Sequence, residues 1–207
     1  MRLHWFWSTN PQKVRLALEE LGLDYELLFV DLAKHEQKSP DYRSIHPRSK
    51  VPALEVDGSV LWESNAALVY LGERQQQLWP KEPKLRAKGH NLMFLEAAAY
   101  QGAASTFFFQ RAVKARAGKP ANEEKLDASR PALDALHSVL ESQLGDADYL
   151  LGDFSMIECA YGPWLPVVDL EGFPRLADWR QRIMNRPSWG RCEFSYGIEA
   201  PAKPSRG

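Results

Sequence analysis

Cysteine is scarce in this 207-residue sequence: there are two, Cys159 and Cys192, and no Cys-x-x-Cys pair. That argues against a disulfide framework or a cysteine-rich zinc site and fits a reducing compartment. Net charge is nearly absent as well. The formal value of -1 gives no bulk attraction to nucleic acid or to an anionic membrane. No uninterrupted apolar run approaches the roughly 20 residues that span a bilayer. The first stretch, Met1-Arg2-Leu3-His4-Trp5-Phe6-Trp7, turns polar too soon for a signal peptide. His35 and His46 lack the converging neighbours of a metal site and read as surface residues. There is no internal repeat. A cytoplasmic soluble protein is expected, long enough for one large domain or two small ones.

What is present follows an order. Leu3 to Trp7 reads as a strand that stops at Ser8-Thr9-Asn10-Pro11. Asn10 looks like a helix N-cap, with Pro11 at the first helical position, where its missing N–H costs nothing. Val14, Leu16, Leu18 and Leu21 carry that helix to a stop at Gly22. Tyr25 to Val30 is a second strand, and the segment from Lys34 to Ser49 is polar, with one helical turn. Ala53–Val56 and Val60–Trp62 flank Asp57-Gly58, a strong hairpin signal. Glu63 to Arg74 is helical, with Ala66, Ala67, Val69, Tyr70 and Leu71 on its apolar face. Such a β-α-β then β-β-α order needs a parallel pair with a crossover and an antiparallel hairpin. Leu78-Trp79-Pro80-Lys81-Glu82-Pro83 reads as a linker, and helices are expected near 85–116, 122–144, 155–169 and 174–185. Ser155-x-x-Glu158 matches a capping box whose loss is expected to cost roughly 0.5–2 kcal/mol. The end of the chain, from Ser195, is rich in Pro, Ser and Gly and reads as a loose tail.

Two motifs carry the chemistry. Lys50-Val51-Pro52-Ala53-Leu54 puts a proline at the entry to a strand. If the Val51–Pro52 bond is cis, the Val51 backbone presents its N–H and C=O sideways to a ligand. Glu63-Ser64-Asn65-Ala66 starts a helix, where unpaired N–H groups and a partial positive charge make a seat for a carboxylate. A short extended peptide could be held by its backbone at the first and by its carboxylate at the second.

These motifs occur in sequence order with Ser8-Thr9-Asn10-Pro11-Gln12-Lys13-Val14 before them and Ser155-Met156-Ile157-Glu158 after them. Together they make the chain resemble a cytosolic glutathione S-transferase, over nearly its whole length except the tail. The resemblance implies an α/β thioredoxin-like N-terminal domain with a mixed four-stranded sheet, followed by an all-α helical bundle. The expected boundaries are 1–77, a linker at 78–84, a helical domain at 85–194 and a tail at 195–207. It also implies glutathione as co-substrate, no metal, and a homodimer.

For the residues, the resemblance implies that Val51, before a cis Pro52, pairs its backbone with the cysteinyl part of glutathione. Ser64 and neighbouring N–H groups take the γ-glutamyl carboxylate, and Glu63 helps to take its ammonium. Lys50 lies near the glycyl carboxylate. Gln37 stands where many relatives carry a histidine for that end, and its amide can still donate. A hydroxyl or amide after the first strand stabilises the reactive thiolate. Ser8 is the first choice, Asn10 a close second with an equal claim as a plain N-cap, and Thr9 third. No tyrosine or cysteine stands in this loop, which argues against a tyrosine-type mechanism and against a protein cysteine as nucleophile.

A small apolar electrophile is expected between the two domains, near Trp7, Tyr100, Phe107, Phe108 and Arg111, although so dense an aromatic run also suits a core. The lead activity is glutathione conjugation. The alternatives are glutathione-dependent peroxide or disulfide reduction, and a non-catalytic binding or regulatory subunit on the same fold.

Overall fold

The structure, a computed structural model, describes residues 1–192; the expected tail at 195–207 lies outside the described residues. The chain runs β1 (Arg2–Trp5), α1 (Thr9–Glu20), β2 (Glu26–Phe29), a 3-10 turn (Glu36–Lys38), α2 (Pro40–Ile45), β3 (Ala53–Val56), β4 (Ser59–Trp62) and α3 (Ser64–Gln75). The sheet order is β2-β1-β3-β4. β1 pairs in parallel with β2, Leu3 facing Leu27, and antiparallel with β3, Leu3 facing Leu54. The β3–β4 hairpin turns at Asp57 and Gly58, both at positive φ, as the Asp-Gly signal demands. Helices α1 and α3 cover the sheet, burying Val14, Leu16 and Leu18 of one and Leu68 and Leu71 of the other.

The remainder is helical. α4 (Pro83–Leu95), a π segment (Glu96–Tyr100), α5 (Gln101–Phe107), a second π segment (Phe108–Val113) and α6 (Lys114–Arg116) form one unbroken helical run. Then come α7 (Glu123–Leu144), α8 (Met156–Tyr161), a 3-10 turn (Gly162–Trp164), α9 (Pro174–Met184) and α10 (Pro187–Arg191). One apolar core continues from the sheet into this bundle, from Leu3 to Trp179. The segment joining α3 to α4 is tied down. Trp79 is buried, its Cβ 2.7 Å from where a Cβ on Gly72 would stand, so α3 needs a glycine there.

Several expectations shift. The polar segment 34–49 forms two short helices rather than one turn, because Ser39 accepts a bond from the Tyr42 N–H and starts α2. The helix expected at 155–169 stops at Tyr161 and tightens to a 3-10 turn. The five-residue α10 has too little length for a periodic signal. It is held by Arg186 on Glu20 at 2.5 and 2.8 Å, and by Arg15 on the Cys192 carbonyl at 2.7 Å. The capping box is present in full.

Candidate active site

The loop after β1 enters α1 two residues earlier than the sequence implies. Ser8 is the N-cap, with extended backbone and no side-chain cap bond, and Asn10 is already in the first turn. Asn10 is therefore no N-cap: Ser-Thr-Asn-Pro offers three capping residues in a row, and the fold takes the first. Pro11 still falls within the first turn, where its missing N–H costs nothing.

A cavity of about 840 Å³ opens between this helix start, the β3 loop, α3 and the long helical run. Its lining holds Asn10, Lys50, Val51, Pro52, Glu63 and Ser64 together. The Val51–Pro52 bond is cis. The Tyr42 hydroxyl braces that loop, donating to the Lys50 carbonyl at 2.7 Å.

The start of α3 is open. Its N-cap is Glu63, whose side chain makes no cap bond, and the first bond of the helix is Ala67 N–H to Glu63 C=O at 3.1 Å. The N–H groups of Ser64, Asn65 and Ala66 thus precede the helical ladder and lie in cavity-lining residues. Ser64 is the first helical residue rather than a cap. Glu63 has φ of +73°, a conformation that costs a non-glycine residue about 1–3 kcal/mol and that clusters at ligand sites. Its carboxylate is exposed and pairs with Arg48 at 3.2 Å.

Asn10 presents the complementary feature. Its Oδ1 is buried with no hydrogen-bond partner among the described residues. A half-turn of the amide exchanges oxygen for nitrogen, so the group can offer a ligand a donor or an acceptor. It also sits at the positive end of α1, a helix of 12 residues. Ser8 is half-buried and Thr9 is buried; neither is in the cavity lining. Gln37, on the 3-10 turn, is likewise outside the lining.

None of the expected acceptor residues is in the cavity lining. Tyr100 and Phe107 have no exposed surface. The Tyr100 hydroxyl bonds His137 Nε2 at 3.1 Å inside the bundle, so these two rings are core. Arg111 forms a two-pronged pair with Asp169 at 2.7 and 2.8 Å and also bonds the Val167 carbonyl, and it is not in the cavity lining. Trp7 is half-buried and packs on Phe108 at 5.8 Å. The neighbouring Phe109 points outward, 52% exposed.

Other lining residues escaped the sequence. His46 is buried, not on the surface; it packs against Trp62 and accepts a bond from the Arg48 N–H. Burial lowers its pKa, with Glu63 opposing. Asn65 and Glu96 also line the cavity. Glu96 has no exposed surface, and neither has Lys13, bonded to it at 2.6 Å. A charged residue recurring with the apolar spacing Leu92, Met93, Tyr100 was the signal for Glu96.

The chain is similar to several known proteins. The family described as "Glutathione S-transferase, N-terminal domain" matches residues 7–74. A probable glutathione S-transferase GSTF1 of Oryza sativa subsp. japonica is 31% identical, over 87% of this chain and 89% of its own. The disulfide-bond oxidoreductase YfcG of Escherichia coli (strain K12) is 29% identical over 89% and 90%. The solved structure of glutathione S-transferase-I bound with lactoylglutathione superposes with a TM-score of 0.83 at 26% identity, covering 92% of this chain and 97% of that one.

Proposed function

This chain belongs to the glutathione S-transferase family, and from that membership we propose that it binds glutathione in the cavity above and activates its thiol for attack on a small apolar electrophile. One observation supports the proposal above the rest: a single cavity gathers Asn10, the cis Val51–Pro52 loop and the open start of α3. An extended peptide with a carboxylate at each end and a thiol in the middle fits those three features.

Each group has a task in this proposal. The Val51 backbone pairs with the cysteinyl residue. Ser64 and the N–H groups at the start of α3 hold the γ-glutamyl carboxylate, and Glu63 receives the ammonium in exchange for Arg48. Lys50, next to Val51 in the cavity lining, attracts the glycyl carboxylate. Asn10 donates its amide N–H to the sulfur, and the positive end of α1 adds to it. Both favour thiolate over thiol, and thiolate is the nucleophile. The thiolate then forms a thioether with the electrophilic carbon as the leaving group departs. Trp7 and Phe108, which pack on each other beside the start of α1, offer an apolar surface for the electrophile.

The proposal includes the homodimer usual in the family. Phe94, 72% exposed at the cavity rim, is an apolar side chain a second copy would cover; mass measurement in solution tests it. A cytoplasmic location belongs to the same proposal. No described helix is long and apolar enough to cross a membrane, and Cys159 and Cys192 are both free.

One relative favours a second activity, reduction of disulfides by bound glutathione, because it is named a disulfide-bond oxidoreductase. The protein's own thiols are poor nucleophiles for such chemistry: burial pushes Cys159 well above its ordinary pKa and Cys192 to about 12. A Cys159→Ser, Cys192→Ser variant that still turns over a disulfide would support glutathione as the attacking thiol. Calorimetric titration with glutathione, followed by a chromogenic aryl halide assay, tests the main proposal. Binding and conjugation support it, and no detectable affinity overturns it.

A further inference from the structure

At the cavity floor lies a cluster of polar side chains that none of the proposed glutathione contacts uses. Lys13 and Glu96 are fully buried and bonded at 2.6 Å. The Glu96 carboxylate also accepts from Trp164 Nε1 at 2.8 Å and from Asn65 Nδ2 at 2.8 Å. Asn65 reaches further, donating to the Met93 carbonyl at 2.9 Å, and its Oδ1 lies 3.5 Å from Lys13 Nζ. The cluster thus ties α1, α3, α4 and the Gly162–Trp164 turn at one point. The partners are far apart in sequence, 83 residues for Lys13 and Glu96.

Its position is what matters. Lys13 is three residues beyond Asn10 in α1, on the same helix face. Asn65 directly follows Ser64 at the open start of α3. Glu96 opens the first π segment and is fully buried, as is Tyr100 at its other end. A buried ion pair is a poor source of stability, because taking two charges out of water offsets their attraction, and apolar replacements of like volume often fold as well or better. A cluster of this kind under a ligand site therefore calls for a role other than stability.

We propose that Lys13 and Glu96 are positioning residues: Lys13 neutralises Glu96 at the cavity floor, and Glu96, through Asn65, fixes the start of α3 in the orientation that receives the γ-glutamyl carboxylate. The inference rests on the glutathione site proposed above. Without Lys13, an uncompensated carboxylate would lie in the lining of a cavity that must hold a second carboxylate and a thiolate. Without Glu96, the Asn65 amide would lose one of the two acceptors that hold it.

The test is a Lys13→Met, Glu96→Met double variant compared with the parent by thermal denaturation, glutathione calorimetry and steady-state kinetics. The expected result is a folded protein whose melting temperature falls by several degrees, because Trp164 Nε1 loses its acceptor, with a KM for glutathione raised about tenfold, the equivalent of one charge-assisted hydrogen bond. Its kcat at saturating glutathione should stay near the parent value, since the lost interaction is made equally before and during reaction. Lys13→Arg, which keeps the charge, should recover most of the affinity. A folded double variant that binds glutathione like the parent overturns the proposal. If the double variant does not fold, Asn65→Ala decides: a similar rise in KM supports the positioning role, and an unchanged KM overturns it. A parent protein with no glutathione affinity overturns the site itself, which is a distinct outcome.

Discussion

Replacing Ser155 by Ala removes two bonds from the start of α8. The Ser155 Oγ accepts from the Ile157 N–H at 3.2 Å, a cap worth about 1 kcal/mol. It also donates to Glu158 Oε2 at 2.7 Å, and Glu158 is fully buried. A hydrogen bond to a charged group contributes about 1.5–3 kcal/mol. The two together come to roughly 2–4 kcal/mol, above the range a simple cap would give, because the serine serves a buried carboxylate as well as a helix end. Glu158 keeps its bonds from Leu150 N–H, Ser155 N–H and Trp179 Nε1, so the loss is partial. For a domain of this size each kcal/mol moves the melting temperature by about 2–4 °C, which predicts a fall of roughly 5–15 °C. Thermal denaturation followed by circular dichroism measures it, and calorimetry with glutathione is the control. Ser155 is not in the cavity lining, so affinity should hold in the folded variant. A melting temperature equal to the parent's would refute the reasoning that α8 depends on this box.

Two further outcomes are expected. Burial depresses the His137 pKa to about 4 from 6.5, with Asp169 opposing. Between those values the unfolded chain takes up a proton that the folded one refuses, so the contribution is complete above pH 6.5 and is lost as pH falls towards 4. The full swing is about 3 kcal/mol. Urea melts at pH 4.5 and pH 7 should show a smaller difference for His137→Gln than for the parent; an equal difference contradicts the assignment. Arg111→Ala breaks the two-pronged pair with Asp169 and should cost about 1–2 kcal/mol in a urea melt. The KM for an aryl electrophile should stay within about twofold; a large rise would return Arg111 to the acceptor site.

The sequence makes local order legible and distant pairing illegible. The Asp57-Gly58 turn, the stop at Gly22 and the Ser155–Glu158 box all appear as expected, because each is decided within a few residues. The Val51–Pro52 and Glu63-Ser64 motifs come from two loops that the mixed sheet brings to one cavity. What failed depended on partners elsewhere. Arg111 is spoken for by Asp169, 58 residues on, and Tyr100 by His137. The π segments at Glu96–Tyr100 and Phe108–Val113 have no local signature in the sequence. The N-cap of α1 falls on Ser8 rather than Asn10, a shift of two residues that three consecutive capping residues leave open.

The most direct test of thiol activation is the pH dependence of thiolate absorbance for glutathione bound to the parent, Asn10→Ala and Ser8→Ala proteins. The bound thiol of the parent should ionise well below its solution pKa. Asn10→Ala should raise that midpoint by about 1–2 pH units, the loss of one hydrogen bond to an anion, and Ser8→Ala should leave it nearly unchanged. Bound glutathione that keeps its solution pKa, or a midpoint that moves with Ser8 and not with Asn10, would contradict the account.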